Sequence, residues 1–330
     1  MIKVGIPRAL TYYQYYPGWK TFFEKLGAEV VVSSPTNKAI LNFAVSRAVA
    51  DTCLPVKIFF GHVISLIDKC DYIFVPAITS LGRKTYNCSK IIGLPNIARA
   101  LIPECPIILD PEINLEKGRY YLYHNIYRLG RYFSPNPFKI KKAIEEAWKS
   151  NLAYREKMSH EKITPIQAID RIYGEDCAPD SSLDPPGELT IAVIGHPYVV
   201  YDDYINHRII PRLQSMGAKI LVPEMVSEKA LSVAARKLVG EIHWSFEGEI
   251  IGAGEYYLAE KVDGIVNLAV FGCGPDSMMI SFVQHRAKEV KIPFLPLSLD
   301  EHSSEGALLT RLEAFLDMVK RRKGREKICE

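Results

Sequence analysis

The spacing of apolar positions along the chain changes repeatedly from short continuous runs to helical periodicity, and each change marks an element. Residues 2–7 form a short apolar strand running into Arg8, and the helix behind it carries Tyr12, Tyr13, Tyr15, Tyr16 and Trp19 before closing at Leu26-Gly27. Residues 29–33 read as a second strand, 38–50 and 55–68 as helices, 72–76 as a strand, 91–101 as a helix and 106–109 as a strand. Strands and helices alternating at this spacing imply a parallel sheet with right-handed crossovers. From 112 to about 174 the composition turns charged and aromatic without strand signals, and Ala143-Ile144-Glu145-Glu146-Ala147-Trp148 is strongly helical. This stretch reads as a helical insertion. Residues 175–187, with Pro179, Pro185 and Pro186, read as a linker.

Beyond the linker the first pattern returns. Gly195-His196-Pro197 ends a strand as Gly5-Ile6-Pro7 does, and Gly217-Ala218-Lys219-Ile220 follows a helix as Gly27-Ala28-Glu29-Val30 does, both at an offset of 190 residues. Asp71-Tyr72-Ile73 and Cys105-Pro106-Ile107 find counterparts in Asp263-Gly264-Ile265 and Ile292-Pro293-Phe294 at slightly different offsets. The expected fold is α/β: two Rossmann-like lobes with parallel sheets, related by internal duplication, with a helical insertion and linker between them. The expected domains are an N-terminal lobe over 1–111, the insertion and linker over 112–187, and a C-terminal lobe over 188–330. Ligands of such sheets bind at the carboxyl ends of the strands, here in the cleft between lobes. Two ordinary doubly wound domains converging on one pattern is the competing explanation.

Composition changes this picture little. A net charge of +3 over 330 residues does not argue for nucleic acid, and Lys320-Arg321-Arg322-Lys323 sits where cations complement the end of a last helix. The aromatic density of the first helix suits core and cleft wall better than base stacking. No apolar run is long enough to cross a bilayer, and Met1-Ile2-Lys3-Val4 leads straight into a strand, so a cytoplasmic protein is expected. Neither G-x-G-x-x-G after a strand nor a P-loop occurs, which removes support for dinucleotide or P-loop nucleotide binding.

The seven cysteines carry the candidate chemistry. In a reducing compartment an odd number argues against a disulfide framework. Phe271-Gly272-Cys273-Gly274-Pro275-Asp276-Ser277 follows the apolar run Gly264-Ile265-Val266-Asn267-Leu268-Ala269-Val270 and reads as strand, tight turn and helix start. A thiol so placed, at the positive end of a helix dipole, is a candidate metal ligand or nucleophile, although no base is evident beside it. Cys53, in Asp51-Thr52-Cys53-Leu54-Pro55, and Cys88, in Tyr86-Asn87-Cys88-Ser89, occupy the same position before a helix. Cys70 and Cys105, at strand starts, read as small buried hydrophobes, while Cys177 falls in the linker and Cys329 in the tail. Three thiolates from separate loops suit zinc or an iron–sulfur cluster, and with no C-x₂₋₄-C pair they fit a [4Fe-4S] cluster with one open iron better than structural zinc, but from spacing alone three unrelated structural or incidental cysteines are the favoured reading. Lys57, Gly61, His62, Arg83 and Lys84, and Tyr198, Tyr201, Asp202, Asp203, Asn206 and His207, lie near the same loops. Asp300 and His302, in Asp300-Glu301-His302 at the end of the last strand, are the candidates for acid–base work.

Taken together, several stretches are similar to the 2-hydroxyacyl-CoA dehydratase and benzoyl-CoA reductase subunits, and within that superfamily to the acyl-CoA dehydratase activase-related proteins. They are Cys53-Leu54-Pro55-Val56-Lys57 with Gly61-His62-Val63, Asn87-Cys88, Gly195-His196-Pro197-Tyr198 with Tyr201-Asp202 and Ile205-Asn206, Phe271 to Ser277, and Asp300-Glu301-His302-Ser303 with Thr310-Arg311-Leu312-Glu313-Ala314-Phe315. They run through nearly the whole chain in the family's order. The resemblance implies a [4Fe-4S] cluster held by Cys53, Cys88 and Cys273 in the interlobe cleft. It also implies a low-potential electron delivered by a separate ATP-dependent activase of the actin-like fold that carries its own [4Fe-4S] cluster. In characterised relatives that electron makes a ketyl radical of a CoA thioester, so an acyl-CoA is the expected substrate class.

Two other functions keep their place. A bilobed chain can close on a small molecule, or handle clusters, without catalysis. A zinc hydrolase could use Cys273 with His302. No nucleic-acid or membrane partner is expected, and the assembly is expected to be a homo- or hetero-oligomer.

Overall fold

The computed structural model describes residues 1–174 and 189–329, the last four by backbone alone. The linker expected at 175–187, Cys177 within it and the side chain of Cys329 lie outside the described residues. The chain divides into two compact units, one comprising Met1–Glu156 with His243–Ser245 and the other Lys157–Ile242 with Phe246–Glu330.

The first unit runs β1 (Lys3–Ile6), α1 (Tyr12–Leu26), β2 (Glu29–Val32), α2 (Lys38–Arg47), α3 (Leu54–Ile64), β3 (Tyr72–Phe74), β4 (Ala77–Ser80), α4 (Ser89–Ile92), α5 (Leu94–Leu101), β5 (Ile107–Leu109), β6 (Glu112–Asn114), α6 (Arg119–Gly130) and α7 (Pro137–Glu161). Its main sheet has the order β2-β1-β3-β5, parallel throughout, and β4 and β6 form a separate parallel pair. The strand β6 corrects the expectation of no strand after 112. It is three residues long, so its apolar signal is a single buried side chain, Ile113, facing the partner register of Ile78. The helix expected over 55–68 stops at Ile64, and the one expected over 91–101 is broken at Gly93 into α4 and α5.

The aromatic first helix is core, as its pattern suggests. Tyr12, Tyr13, Tyr16, Phe22 and Phe23 are buried, and Trp19, Phe23, Phe74 and Phe133 pack ring against ring. Pro17 interrupts this helix and cannot donate to the carbonyl of Tyr13 four residues earlier. The hydroxyl of Tyr154 on α7 donates to that carbonyl instead, at 2.6 Å. Close helix contact also explains Gly61. A Cβ there would stand 2.2 Å from the carbonyl oxygen of Ile40, so only glycine lets α3 lie against α2.

The second unit continues with α8 (Pro165–Tyr173), β7 (Leu189–Gly195), α9 (Pro197–Val200), α10 (Ile209–Ser215), β8 (Ala218–Leu221), α11 (Glu228–Val239), α12 (Glu247–Ala259), β9 (Gly264–Val270), α13 (Gly274–Glu289), β10 (Phe294–Leu299) and α14 (Glu305–Cys329). The parallel sheet has the order β10-β9-β7-β8. One face of β7 and β9 buries Ala192, Ile194 and Ile265 against Ile250, Ala253, Tyr257, Val283 and Ala287 of α12 and α13. Every residue of β9 is buried, which is why its sequence is a nearly continuous apolar run rather than an alternating one.

Both sheets thus place the first strand beside the third, with the second strand outside it. One hydrogen-bond pattern recurs as well. Lys3 N–H donates to the Asp71 carboxylate at 2.7 Å while Asp71 N–H donates to Lys3 O at 2.9 Å, and Thr190 and Asp263 repeat both bonds at the same lengths. The equivalent first-strand starts are therefore Lys3 and Thr190, although Glu29 and Lys219, their partners in the second strands, keep the 190-residue offset. The difference arises because β7 is seven residues long and β1 four.

Candidate functional site

The strongest concentration of chemistry lies in the second unit, at the carboxyl ends of the adjacent strands β7 and β9. The second strand β8 lies on one side of β7 and the third, β9, on the other, so this is the point where the order reverses and α/β sheets open a crevice. After β9 the chain turns sharply. Cys273 N–H donates to Val270 O at 3.1 Å and Gly272 takes a φ of +78°, a value that a side chain would strain. Cys273 is then the N-cap of α13, which starts at Gly274, within the stretch that the sequence pattern reads as a helix start. Pro275 in the first turn needs no N–H partner, so the helix can begin as soon as the turn ends.

After β7, Gly195 passes so close to its neighbour that a Cβ would lie 2.5 Å from the carbonyl oxygen of Leu268. The next residue, His196, caps the short α9 and turns its ring toward α13. His196 Nε2 stands 2.8 Å from Asp276 Oδ1, both side chains being almost wholly buried. Cys273 Sγ completes the group: one ligating atom from each of His196, Cys273 and Asp276 falls within 4.8 Å of the others. Tyr198 stacks on the imidazole at 4.8 Å and 15°, and Phe246 meets it edge-on at 6.4 Å.

The electrostatics of the group follow from this packing. Burial by itself would lower the pKa of His196, but the carboxylate of Asp276 overrides it and holds the imidazole well above its ordinary value. Burial would raise Asp276, and the imidazolium reverses that, keeping the carboxyl below its usual range. Asp276 also accepts from Val270 N–H at 3.4 Å and lies in the first turn of α13, where the helix dipole favours an anion. Nearby Glu247 is pushed up, chiefly by burial. Among the described residues the buried Nδ1 of His196 and both side-chain polar atoms of Asn267, on β9, have no hydrogen-bond partner.

This arrangement overturns the expectation that Cys273 has no base beside it. Spacing in sequence cannot show that β7 and β9 are neighbours, so His196, 77 positions earlier, is invisible as a partner. A weaker signal was present. Asp276 follows Cys273 by three residues, which places the two on one turn of a helix.

The other cysteines behave in two ways. Cys53 and Cys88 are the N-caps of α3 and α4, and the thiols of both are half-buried. Their loops are tied together within the first unit, since Lys90 Nζ donates to Asp51 O at 3.1 Å. Asn87 anchors the second loop by donating from its side chain to Ile78 O at 3.0 Å. Cys70 and Cys105, at the opposite ends of the strands, are pushed up to about 11, chiefly by burial. They are inert thiols, and Cys70 packs where a side chain on Gly5 would strike it, its Sγ 2.7 Å from an added Cβ.

The remaining candidates have defined places. His62 is buried between Ser33 Oγ, 2.8 Å from Nδ1, and Thr36 Oγ1, 3.0 Å from Nε2. Asn206 donates to Val199 O and Val200 O, and Asp202 accepts from Tyr204 N–H and Ile205 N–H, so both shape the loop after α9. Tyr201 donates its hydroxyl to Glu224. Asp203 lies beside Arg208, and His207 adopts a positive φ. Lys57 and Gly61 are buried in α3, whereas Arg83 and Lys84 are exposed, with Lys84 N–H on Glu116. Asp300 Oδ1 accepts from His302 N–H and Ser303 Oγ, ordering the turn into α14, and His302 is exposed.

Each of the three thiols, taken in its own unit, is placed as a thiolate ligand could be. Cys53, Cys88 and Cys273 share one local position, and a Cβ added at Gly272 or Gly274 would meet nothing within 4 Å, so the flanks of Cys273 are open. Among the described residues no helix is long and apolar enough to cross a membrane.

The family described as "CoA enzyme activase uncharacterised domain (DUF2229)" matches residues 3–226, and "2-hydroxyglutaryl-CoA dehydratase, D-component" matches residues 254–319. No curated protein matches the chain. Among solved structures, the SBP FpvC from Pseudomonas aeruginosa in complex with Mn2+ aligns over 98% of this chain and 100% of its own, at 14% identity and a TM-score of 0.28. The C-terminal domain of glucosamine-fructose-6-phosphate aminotransferase from Francisella tularensis aligns over 96% of this chain and 85% of its own, at 12% identity and a TM-score of 0.21. Scores this low carry no argument about fold or activity.

Proposed function

The chain belongs to the CoA enzyme activase-type family that spans its residues 3–226, and from that premise we propose that it is an iron–sulfur redox protein of the 2-hydroxyacyl-CoA dehydratase type. Cys53, Cys88 and Cys273 hold a [4Fe-4S] cluster, which when bound supplies one-electron chemistry at low potential. The observation that carries this reading is the shared position of the three thiols, each capping a helix, with glycine on both sides of the third. Helix N-termini favour the thiolate form that a metal ligand needs.

The residues around the thiols have their own tasks. Lys90 keeps the two loops of the first unit together through Asp51. Gly272 and Gly274 leave the flanks of Cys273 open, and Tyr198 and Phe246 exclude water from the imidazole of His196. Asp300 orders the turn before α14, which leaves the exposed His302 to exchange a proton with a substrate. The partner in this reading is an activase-type ATPase that delivers the electron, and the substrate class is an acyl-CoA.

Anaerobic purification tests the reading. The protein should be brown, carry about four iron and four sulfide per chain, and lose them when Cys53, Cys88 or Cys273 is changed to Ala. Colourless, iron-free protein from an iron-replete host would sink it. A second reading is favoured by the Cys273–His196–Asp276 group alone: a thiol nucleophile with His196 as its ionising partner. Iron-free protein whose Cys273 alkylates much faster than that of the His196→Gln variant would select it.

A further inference from the structure

We propose that His196 Nε2, Cys273 Sγ and Asp276 Oδ1 form a site for a single divalent transition-metal ion of the zinc or ferrous class, with one coordination position open to solvent. This goes beyond the cluster reading. Both occupants use Cys273, so a chain that holds a cluster there cannot hold this ion, and the site belongs to the cluster-free protein.

Placement within the second unit carries the inference. One ligating atom from each of the three residues falls within 4.8 Å of the others, and the side chains of His196 and Asp276 are almost wholly buried. Two nitrogen or oxygen ligands at about 2.0–2.1 Å from one ion stand roughly 3 Å apart, and Nε2 and Oδ1 are already 2.8 Å apart. Only the thiol has to close in, to about 3.5 Å from each of them for a tetrahedral ion with a metal–sulfur bond of about 2.3 Å. The ligands are also aimed in advance. Asp276 Oδ2 accepts from Val270 N–H at 3.4 Å, which leaves Oδ1 turned toward the imidazole, and Cys273 N–H donates to Val270 O at 3.1 Å. Val270 thus anchors two of the three residues. Tyr198 on the face of the His196 ring and Phe246 at its edge fix the third. Outer contacts of this kind orient metal ligands.

Charge and donor type select the ion. A thiolate and a carboxylate this close in a buried setting repel each other, and a dication between them balances both. One sulfur, one nitrogen and one oxygen suit zinc, iron or cobalt, whereas magnesium and calcium prefer oxygen alone. Cys273 is half-buried and a Cβ at either flanking glycine would meet nothing within 4 Å, so a fourth position on that side can hold an exchangeable water. Binding releases to solvent the thiol proton of Cys273 and the proton held between His196 and Asp276. The ion keeps its charge, and no electron moves.

Cobalt(II) is the probe, titrated without oxygen into the full chain after its iron has been removed with a chelator. Wild type should bind a single equivalent and show a sulfur-to-cobalt charge-transfer band. Cys273→Ser should lose the band. His196→Ala and Asp276→Asn should each weaken binding by more than the roughly 10–100-fold that follows loss of a ligand's outer hydrogen-bond partner. The double variant Cys53→Ala, Cys88→Ala should bind as wild type does. Because removing one member of a buried pair can unfold the chain, wild type carries a second readout: X-ray absorption at the cobalt edge should show one sulfur, nitrogen or oxygen neighbours, and the scattering of one imidazole. Wild type that binds no cobalt, a folded His196→Ala or Asp276→Asn protein with undiminished affinity, or an edge spectrum with two or more sulfurs would overturn the inference. Iron and sulfide analysis of anaerobically purified protein judges the cluster separately. A loaded cluster without a cobalt site removes only this inference, and cobalt binding by protein that never takes up iron and sulfide removes only the cluster.

Discussion

His62 and His196 are both buried histidines, one in each unit, and they are held in opposite states of charge. His62 sits between two hydroxyls, Ser33 and Thr36, and burial, aided by the nearby Arg8, lowers its pKa to about 3. His196 meets a carboxylate, and burial fails to neutralise it. The contrast extends to other buried groups. In the first unit the buried Asn87 and the hydroxyl of Tyr154 bond to backbone carbonyls, whereas in the second unit buried Glu255 pairs with Lys237 at 2.7 Å and Arg286 at 3.2 Å. Burial sets the demand for a partner; the partner's charge sets the protonation state.

The comparison can be broken most forcefully from the charged side. Asp276→Ala leaves an ionised histidine buried without its counter-ion, and breaking such a pair costs about 3–5 kcal/mol. Urea unfolding should show that loss in the second unit. Loss below about 1 kcal/mol would mean that the pair contributes little.

Acid should strike the other histidine first. The unfolded chain takes up a proton on His62 below about 6.5, while the folded chain does not until about 3, so stability falls as pH drops across that window. The slope is about 1.4 kcal/mol per pH unit, or roughly 2 kcal/mol at pH 5. His62→Asn should remove this slope from pH-dependent denaturation curves. His196 behaves inversely. With its pKa raised, its contribution is complete below the unfolded value and fades as pH rises, while depressed Asp276 contributes above its own unfolded value and loses that contribution in acid.

A smaller effect sharpens the neutral side. Tyr154→Phe removes the hydroxyl that stands in for the missing Pro17 N–H and leaves the Tyr13 carbonyl without that donor. An unmet buried carbonyl costs about 1–3 kcal/mol, so Tm should fall by several degrees. The smallest effect on folding is expected at Gly274→Ala, where the new methyl meets nothing and stability should change by less than about 0.5 kcal/mol. If the open flank of Cys273 is used by a cluster, the same methyl should still lower iron retention, and unaltered iron content would show that the space has no such use.

How much of this was legible in the sequence depends on the range of the interaction. The strand β9 is recovered at its observed ends, because every one of its residues faces the interior and the signal is one unbroken run. The helix start at Cys273 is equally local, since Gly272, Pro275 and the preceding strand all act within a few residues. The strand β6 escapes detection, being three residues long and paired with β4 more than thirty positions away. The landmark offset of 190 holds for the second strands but not for the starts of the first, where extra length in β7 shifts the register.

For this protein the strands of the two main sheets, the capping position of three cysteines and membership of a CoA enzyme activase-type family were determined by the sequence alone, because turn chemistry, apolar runs and motif order are local properties. Only the tertiary structure decided that Cys273 has company. His196 reaches it because β7 and β9 lie side by side, and Asp276 becomes an ion-pair partner because the same packing removes water from both groups. Strand adjacency and desolvation are properties of the folded sheet, and no spacing along the chain encodes them.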